Sequence, residues 1–107
     1  MEPLLVLTNL PDAASAETLA TALIDRRAAA CVNVLAPCRS IYRWQGRLET
    51  AAEIPLLIKT SVANYPLVEQ IVRSQHPYDV PELIAIPITH GLPAYLDWLA
   101  TETDLHE

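Results

Sequence analysis

The sequence predicts a small α+β domain, and three observations carry that expectation. Short apolar, β-branched runs, the mark of strands, alternate along the chain with segments whose apolar residues recur at helical spacing. Proline, glycine, asparagine and aspartate fall between these runs, where turns belong. The chain has 107 residues, which suits one domain over 1–107 and leaves no room for two.

The elements follow in order. Leu4 to Thr8 is a continuous apolar run, read as a buried strand, and Asn9-Leu10-Pro11-Asp12 is the turn that ends it. Asp12 or Ser15 can cap the next helix by accepting an orphan backbone N–H. Ala16, Leu19, Ala20, Leu23 and Ile24 recur at helical spacing. Asp25-Arg26-Arg27 lies near the helix end, where cations suit the macrodipole. Cys31 to Val34 and Ile41 to Trp44 read as strands, with Pro37 marking a bend, bulge or edge between them. Gln45-Gly46 is a hairpin turn, since glycine takes positive φ freely. Ile54 to Thr60 is the returning strand, and Pro55 argues for an edge or bulge there.

Ser61 or Asn64 can start a second helix, with Pro66 tolerated in its first turn. Leu67, Val68, Ile71 and Val72 supply its apolar face. His76-Pro77 stops it, because a residue before proline avoids the helical region. Glu82 to Ile88 is expected to be a strand. Pro93 starts a last helix whose Tyr95, Leu96, Trp98 and Leu99 are expected to pack down. The order is β-α-β, a hairpin, α-β and a terminal helix, the double βαβ arrangement of ferredoxin-like domains. Both helices then cover one sheet face. The other face stays bare although its strands are apolar, and a second subunit is the expected cover.

Bulk composition narrows the function. Hydrophobic residues make up 51% and charged residues 19% of the chain. That composition supports a real core and favours association, since a domain this small buries only about two-thirds of its unfolded surface. The net charge of -6 makes nucleic acid a poor partner and cationic ligands better tolerated. Leu4-Leu5-Val6-Leu7 is too short for a signal peptide or a membrane span, so the expected location is the cytoplasm, away from membranes. Cys31 and Cys38 lie seven residues apart, which is neither a zinc-finger nor a redox spacing, and both are expected to be thiols. Enzymatic patterns are missing: there is no glycine-rich phosphate loop, no Ser-His-Asp spacing and no HExxH.

Several local strings stand together. They are Ala29-Ala30-Cys31-Val32-Asn33, Ser40-Ile41-Tyr42-Arg43-Trp44-Gln45-Gly46, and Glu53 followed by Leu57-Ile58-Lys59-Thr60. His76-Pro77-Tyr78-Asp79-Val80-Pro81-Glu82 and Tyr95-Leu96-Asp97-Trp98-Leu99 complete the set. In this order and spacing they cover nearly the whole chain, and they resemble the CutA family of divalent-cation tolerance proteins. The resemblance implies a non-enzymatic, ferredoxin-like subunit in a tight homotrimer of PII-like architecture, with strands paired across subunits. It assigns Cys31, Asn33, Ser40, Ile41, Tyr42 and Trp44 to the trimer interface. It also implies a cleft between subunits, with Lys59, Tyr78 and Glu82 as its ligand-facing residues.

Copper in the family is placed at a cysteine closing the first strand and at a His-His pair just before Pro-Tyr. Thr8 and Gln75-His76 occupy those positions here, so His76 is the residue carried over as a ligand for copper(II) or another divalent cation. Cys31, Cys38, His90 and His106 are further donors whose spacing shows no convergence. For His76 the plain alternative is a helix C-cap, and for Tyr78 a packed ring with its hydroxyl bonded. Glu82 opens an apolar run and needs a partner if buried. Lys59 can serve it, or can serve Glu53; the residues alone do not choose. Two functional expectations result. One is cation tolerance through a directly bound divalent cation. The other is a PII-like scaffold that binds a small ligand or an unidentified protein between subunits.

Overall fold

The structure, a computed structural model, describes residues 1–105. His106 therefore lies outside the described residues. The elements are β1 (Pro3–Leu10), α1 (Ala13–Asp25), β2 (Cys31–Val34), β3 (Cys38–Trp44), β4 (Arg47–Ser61), α2 (Tyr65–Gln75), β5 (Ile84–Pro87) and α3 (Pro93–Glu102). The strands run β2-β4-β1-β5 with antiparallel neighbours, and β3 pairs the first half of β4. That is the ferredoxin-like sheet extended by a two-stranded arm. No described helix is long and apolar enough to cross a membrane.

Period-two alternation builds the core. Leu4, Val6, Thr8 and Leu10 of β1 are buried under the helices, as are Ile54, Leu56, Ile58 and Thr60 of β4. They meet Leu19 and Leu23 of α1 and Val68, Ile71 and Val72 of α2. The intervening residues face the other way. Leu5, Leu7 and Leu57 are half-buried there, and Ile84 and Ile86 stand 52% and 49% exposed beside them. The bare apolar face expected from the element order is present.

Caps explain where the helices begin and end. The Asp12 carboxylate accepts the Ser15 N–H at 2.7 Å, and this bond holds its pKa below the ordinary carboxylate value. Asn64 is the N-cap of α2, yet its side chain does not cap. Its amide instead donates to the carbonyls of Arg27 at 3.0 Å and Thr103 at 2.8 Å. Arg27, with φ +58°, turns the chain out of α1. Its guanidinium donates to the carbonyls of Thr101 and Glu102 at the end of α3. Helix-end carbonyls lack intrahelical partners, so this pair of residues pins the last helix.

Three expectations need correction. β4 runs for 15 residues from the arm into the sheet, longer than the expected Ile54 to Thr60, and Pro55 sits inside it at a local edge, without a bulge. Proline is tolerated because its nitrogen faces the gap where β2 ends and β3 has not begun; its carbonyl still accepts Leu35 N–H at 3.0 Å. β5 is shorter than expected, so Glu82 precedes the strand and is exposed. On α3 only Leu99 is buried, whereas Tyr95 and Trp98 stand about two-fifths exposed against each other. Cys31 lies half-buried on the open face.

Candidate functional site

The connector from α2 to β5 organises the site. Pro77 forces His76 out of the helix, to φ −75° and ψ 135°, while the His76 N–H still closes the last turn on Val72 O at 2.8 Å. The imidazole is buried. Its Nδ1 accepts the Tyr78 N–H at 3.1 Å, so Nε2 carries the proton and donates to Asn9 O at 2.6 Å. Both ring nitrogens are thus used by the fold. A metal could bind His76 only by displacing one of these bonds.

Tyr78 follows from that anchor. Its ring lies 4.8 Å from the His76 ring, and its hydroxyl donates to Glu53 Oε2 at 3.1 Å. Burial, then the hydrogen bond to Glu53 and its charge, push the phenol up to about 12. Glu53 lies at the base of the arm, opposite Cys38, and is 8% exposed. Glu82 accepts from the Asn9 side-chain amide at 3.3 Å. Asn9 therefore serves both sides of the connector, its carbonyl holding His76 and its amide holding Glu82.

Between the arm and the connector lies a groove of about 410 Å³. Tyr42 and Trp44 reach it from one face of β3, Glu53 from β4, and Tyr78, Asp79 and Glu82 from the connector. Among the described residues three aromatic rings and three carboxylates line it, and no lysine or arginine does.

The sequence expectation places Lys59 with Tyr78 and Glu82 in a cleft between subunits; within one chain Lys59 stands apart from the other two. Lys59 pairs across the ladder with Leu5 and Cys31. Its ammonium contacts the Asn33 side-chain oxygen and the Cys31 sulfur, the latter at 3.8 Å. Glu53 and Lys59 share a strand face but are six residues apart, roughly 20 Å along the strand. Neither carboxylate takes the lysine as its partner. Glu53 and Asp79 are groove residues that sequence reasoning missed; the signal for Glu53 is the arm register, which cannot be counted until the Gln45-Gly46 turn is placed.

The expected interface residues lie in two zones. Cys31 and Asn33 are on the open sheet face. Ser40, Tyr42 and Trp44 share one face of the arm, and Ile41, 66% exposed, points from the other. Among the described residues no three His, Cys, Asp or Glu side chains are grouped to hold a metal. Thr8 is fully buried in the core and its hydroxyl has no partner among the described residues. His90 bonds the adjacent Thr89 hydroxyl at 3.0 Å, and Cys38 is an exposed free thiol.

An antiparallel β2-β4-β1-β5 sheet, helices on one face and a long arm define a ferredoxin-like domain of the PII-like kind. The family model described as CutA1 divalent ion tolerance protein matches residues 4–102, and the chain belongs to that family. It is 45% identical over 98 residues to the divalent-cation tolerance protein CutA of Thermus thermophilus, covering 92% of this chain and 95% of that one. The solved Cut A1 structure from the same organism superposes with a TM-score of 0.93 at 43% identity, covering 95% of this chain and 99% of that chain. The CutA structure from Xylella fastidiosa reaches a TM-score of 0.94 at 42% identity, covering 97% of this chain and 100% of its own.

Proposed function

We propose that this chain serves divalent-cation tolerance as a non-catalytic homotrimeric scaffold that binds a ligand in the groove between arm and connector. The observation that carries this is the uncovered apolar sheet face, continuous with an arm that stretches the chain to 45 Å against 26 and 22 Å in the other directions. An isolated two-stranded arm is marginal in water, and exposed Ile41, Trp44 and Leu48 give it a surface that a neighbouring subunit would stabilise. Light scattering is expected to give three times the chain mass. A monodisperse monomer at micromolar concentration would remove the reading.

Direct binding of copper(II) or another divalent cation is the second reading, favoured by the names of the relatives. His76 supplies one imidazole already committed at both nitrogens, short of the several N or S ligands copper selects. Calorimetry with Cu(II) and Zn(II) separates the two. Under the scaffold reading His76→Ala leaves any metal isotherm unchanged; a tight isotherm lost in that variant favours direct binding.

A further inference from the structure

We infer that Tyr78 and Glu53 form a clasp that fixes the angle at which the arm leaves the sheet and so aims its apolar residues at a neighbouring copy. The aiming role rests on the homotrimer reading; the clasp itself does not. The arm is the ladder of β3 with Arg47 to Glu53 of β4, and Cys38 with Glu53 is its last rung. The sheet begins one residue on, where Ile54 pairs Leu10. β3 pairs with β4 alone. The arm therefore joins the sheet through one continuous strand and the 35–37 segment. A two-stranded ribbon held at one end has little in its backbone to fix its direction.

Among the described residues one side-chain hydrogen bond crosses from the arm to the rest of the domain. It is the Tyr78 hydroxyl donating to Glu53 Oε2 at 3.1 Å. Both ends are firm. Glu53 stands at the base of the arm and is 8% exposed. Tyr78 stands on the connector, where the His76 ring holds both Asn9 O and the Tyr78 N–H. The phenol is pushed up to about 12, so Tyr78 stays a donor across the neutral range. Without that hydroxyl Glu53 is a buried charge short of a donor. Such a state is costly, and a tilt of the arm that brings the carboxylate to water relieves it.

The lever is long. Arg47 to Glu53 spans roughly 20 Å, so a tilt of about 10° at the base moves the tip by about 3.5 Å. Stable interfaces pack as densely as protein interiors, and a shift of that size takes exposed Ile41, Trp44 and Leu48 out of register with a partner surface.

The test measures the arm directly in the full chain. Cys31→Ser and Cys38→Ser remove the native thiols, and nitroxides on Arg47→Cys at the arm tip and Gln70→Cys on α2 report their separation by pulsed electron resonance. Ile86→Asp charges the open face and keeps the chains apart, so that no neighbour holds the arm. In that monomer the distance distribution should be narrow. Tyr78→Phe should broaden it by about 3 Å or more, while Glu53→Gln, whose amide oxygen still accepts from Tyr78, should keep it narrow. With Ile86 restored, Tyr78→Phe should raise the concentration at which the assembly dissociates about tenfold, and Glu53→Gln should leave it near the parent value. Equal widths in Tyr78→Phe and the parent overturn the clasp, as does a Glu53→Gln arm as loose as that of Tyr78→Phe. A loosened arm with unchanged dissociation overturns the aiming role. A parent chain that never assembles in light scattering sinks the homotrimer reading and the aiming role with it, and the distances still judge the clasp.

Discussion

The two faces of one sheet have opposite fates. Along β1, Leu4, Val6, Thr8 and Leu10 are buried, while Leu5 and Leu7 between them remain partly open. Both sets are largely apolar and share one backbone. The chain closes the first face itself, with α1 and α2, and leaves the second for another surface. Apolar composition alone therefore does not define the core of this domain. The core is defined by which residue parity the helices cover.

Paired truncations across the two faces should show the largest effect. Ile58→Ala, in the closed core, is expected to cost about 3 kcal/mol in urea unfolding. Ile86→Ala, on the open face, should cost under about 1 kcal/mol in dilute protein, with a cost that grows as concentration rises and subunits associate. Equal costs independent of concentration would erase the distinction between the faces.

Asn64→Ala tests how the closed side is fastened. Removing its amide leaves the Arg27 and Thr103 carbonyls short of a donor, an expected loss of about 2 kcal/mol with faster hydrogen exchange along α3. Protection of α3 unchanged in the variant would assign its anchoring elsewhere.

Thr8→Val sharpens the comparison in the other direction. The Thr8 hydroxyl is buried without a partner among the described residues, so the isosteric valine should stabilise by about 1 kcal/mol, read as a higher urea midpoint. A lower midpoint would mean the hydroxyl is satisfied in solution.

The smallest effect belongs to the open side. The folded Tyr78 pKa is raised from 10.0 to about 12, so its protonated form is favoured by folding. That contribution is complete below pH 10 and is lost as pH rises through 12. Phenolate absorbance should show a late-ionising tyrosine that Tyr78→Phe removes. Tyr65 is raised too, by burial and then Glu69, so the variant is needed to assign the step.

Much of this was legible in the residues. Alternation, helical spacing, Asp12, Gly46 and the His76-Pro77 stop place the elements, and their order implies the sheet and its bare face. These are local signals, set by side-chain period, capping and backbone sterics over a few residues. The five family-like strings add the family. The site was legible only in part. Within one chain Tyr78 and Glu82 line one groove and Lys59 lies apart on the open sheet face.

What the sequence by itself determined is the element order, the apolar parity of each strand, and the rigid connector from His76 to Glu82. Only the tertiary structure decided which charges meet. Glu53 reaches Tyr78 through a 15-residue strand paired in one register, and Lys59 is carried to the far end of that same strand. The physical reason is that propensity and periodicity act over neighbouring residues, whereas contacts between distant side chains depend on register. A shift of a single residue in the arm would turn Glu53 to the opposite face.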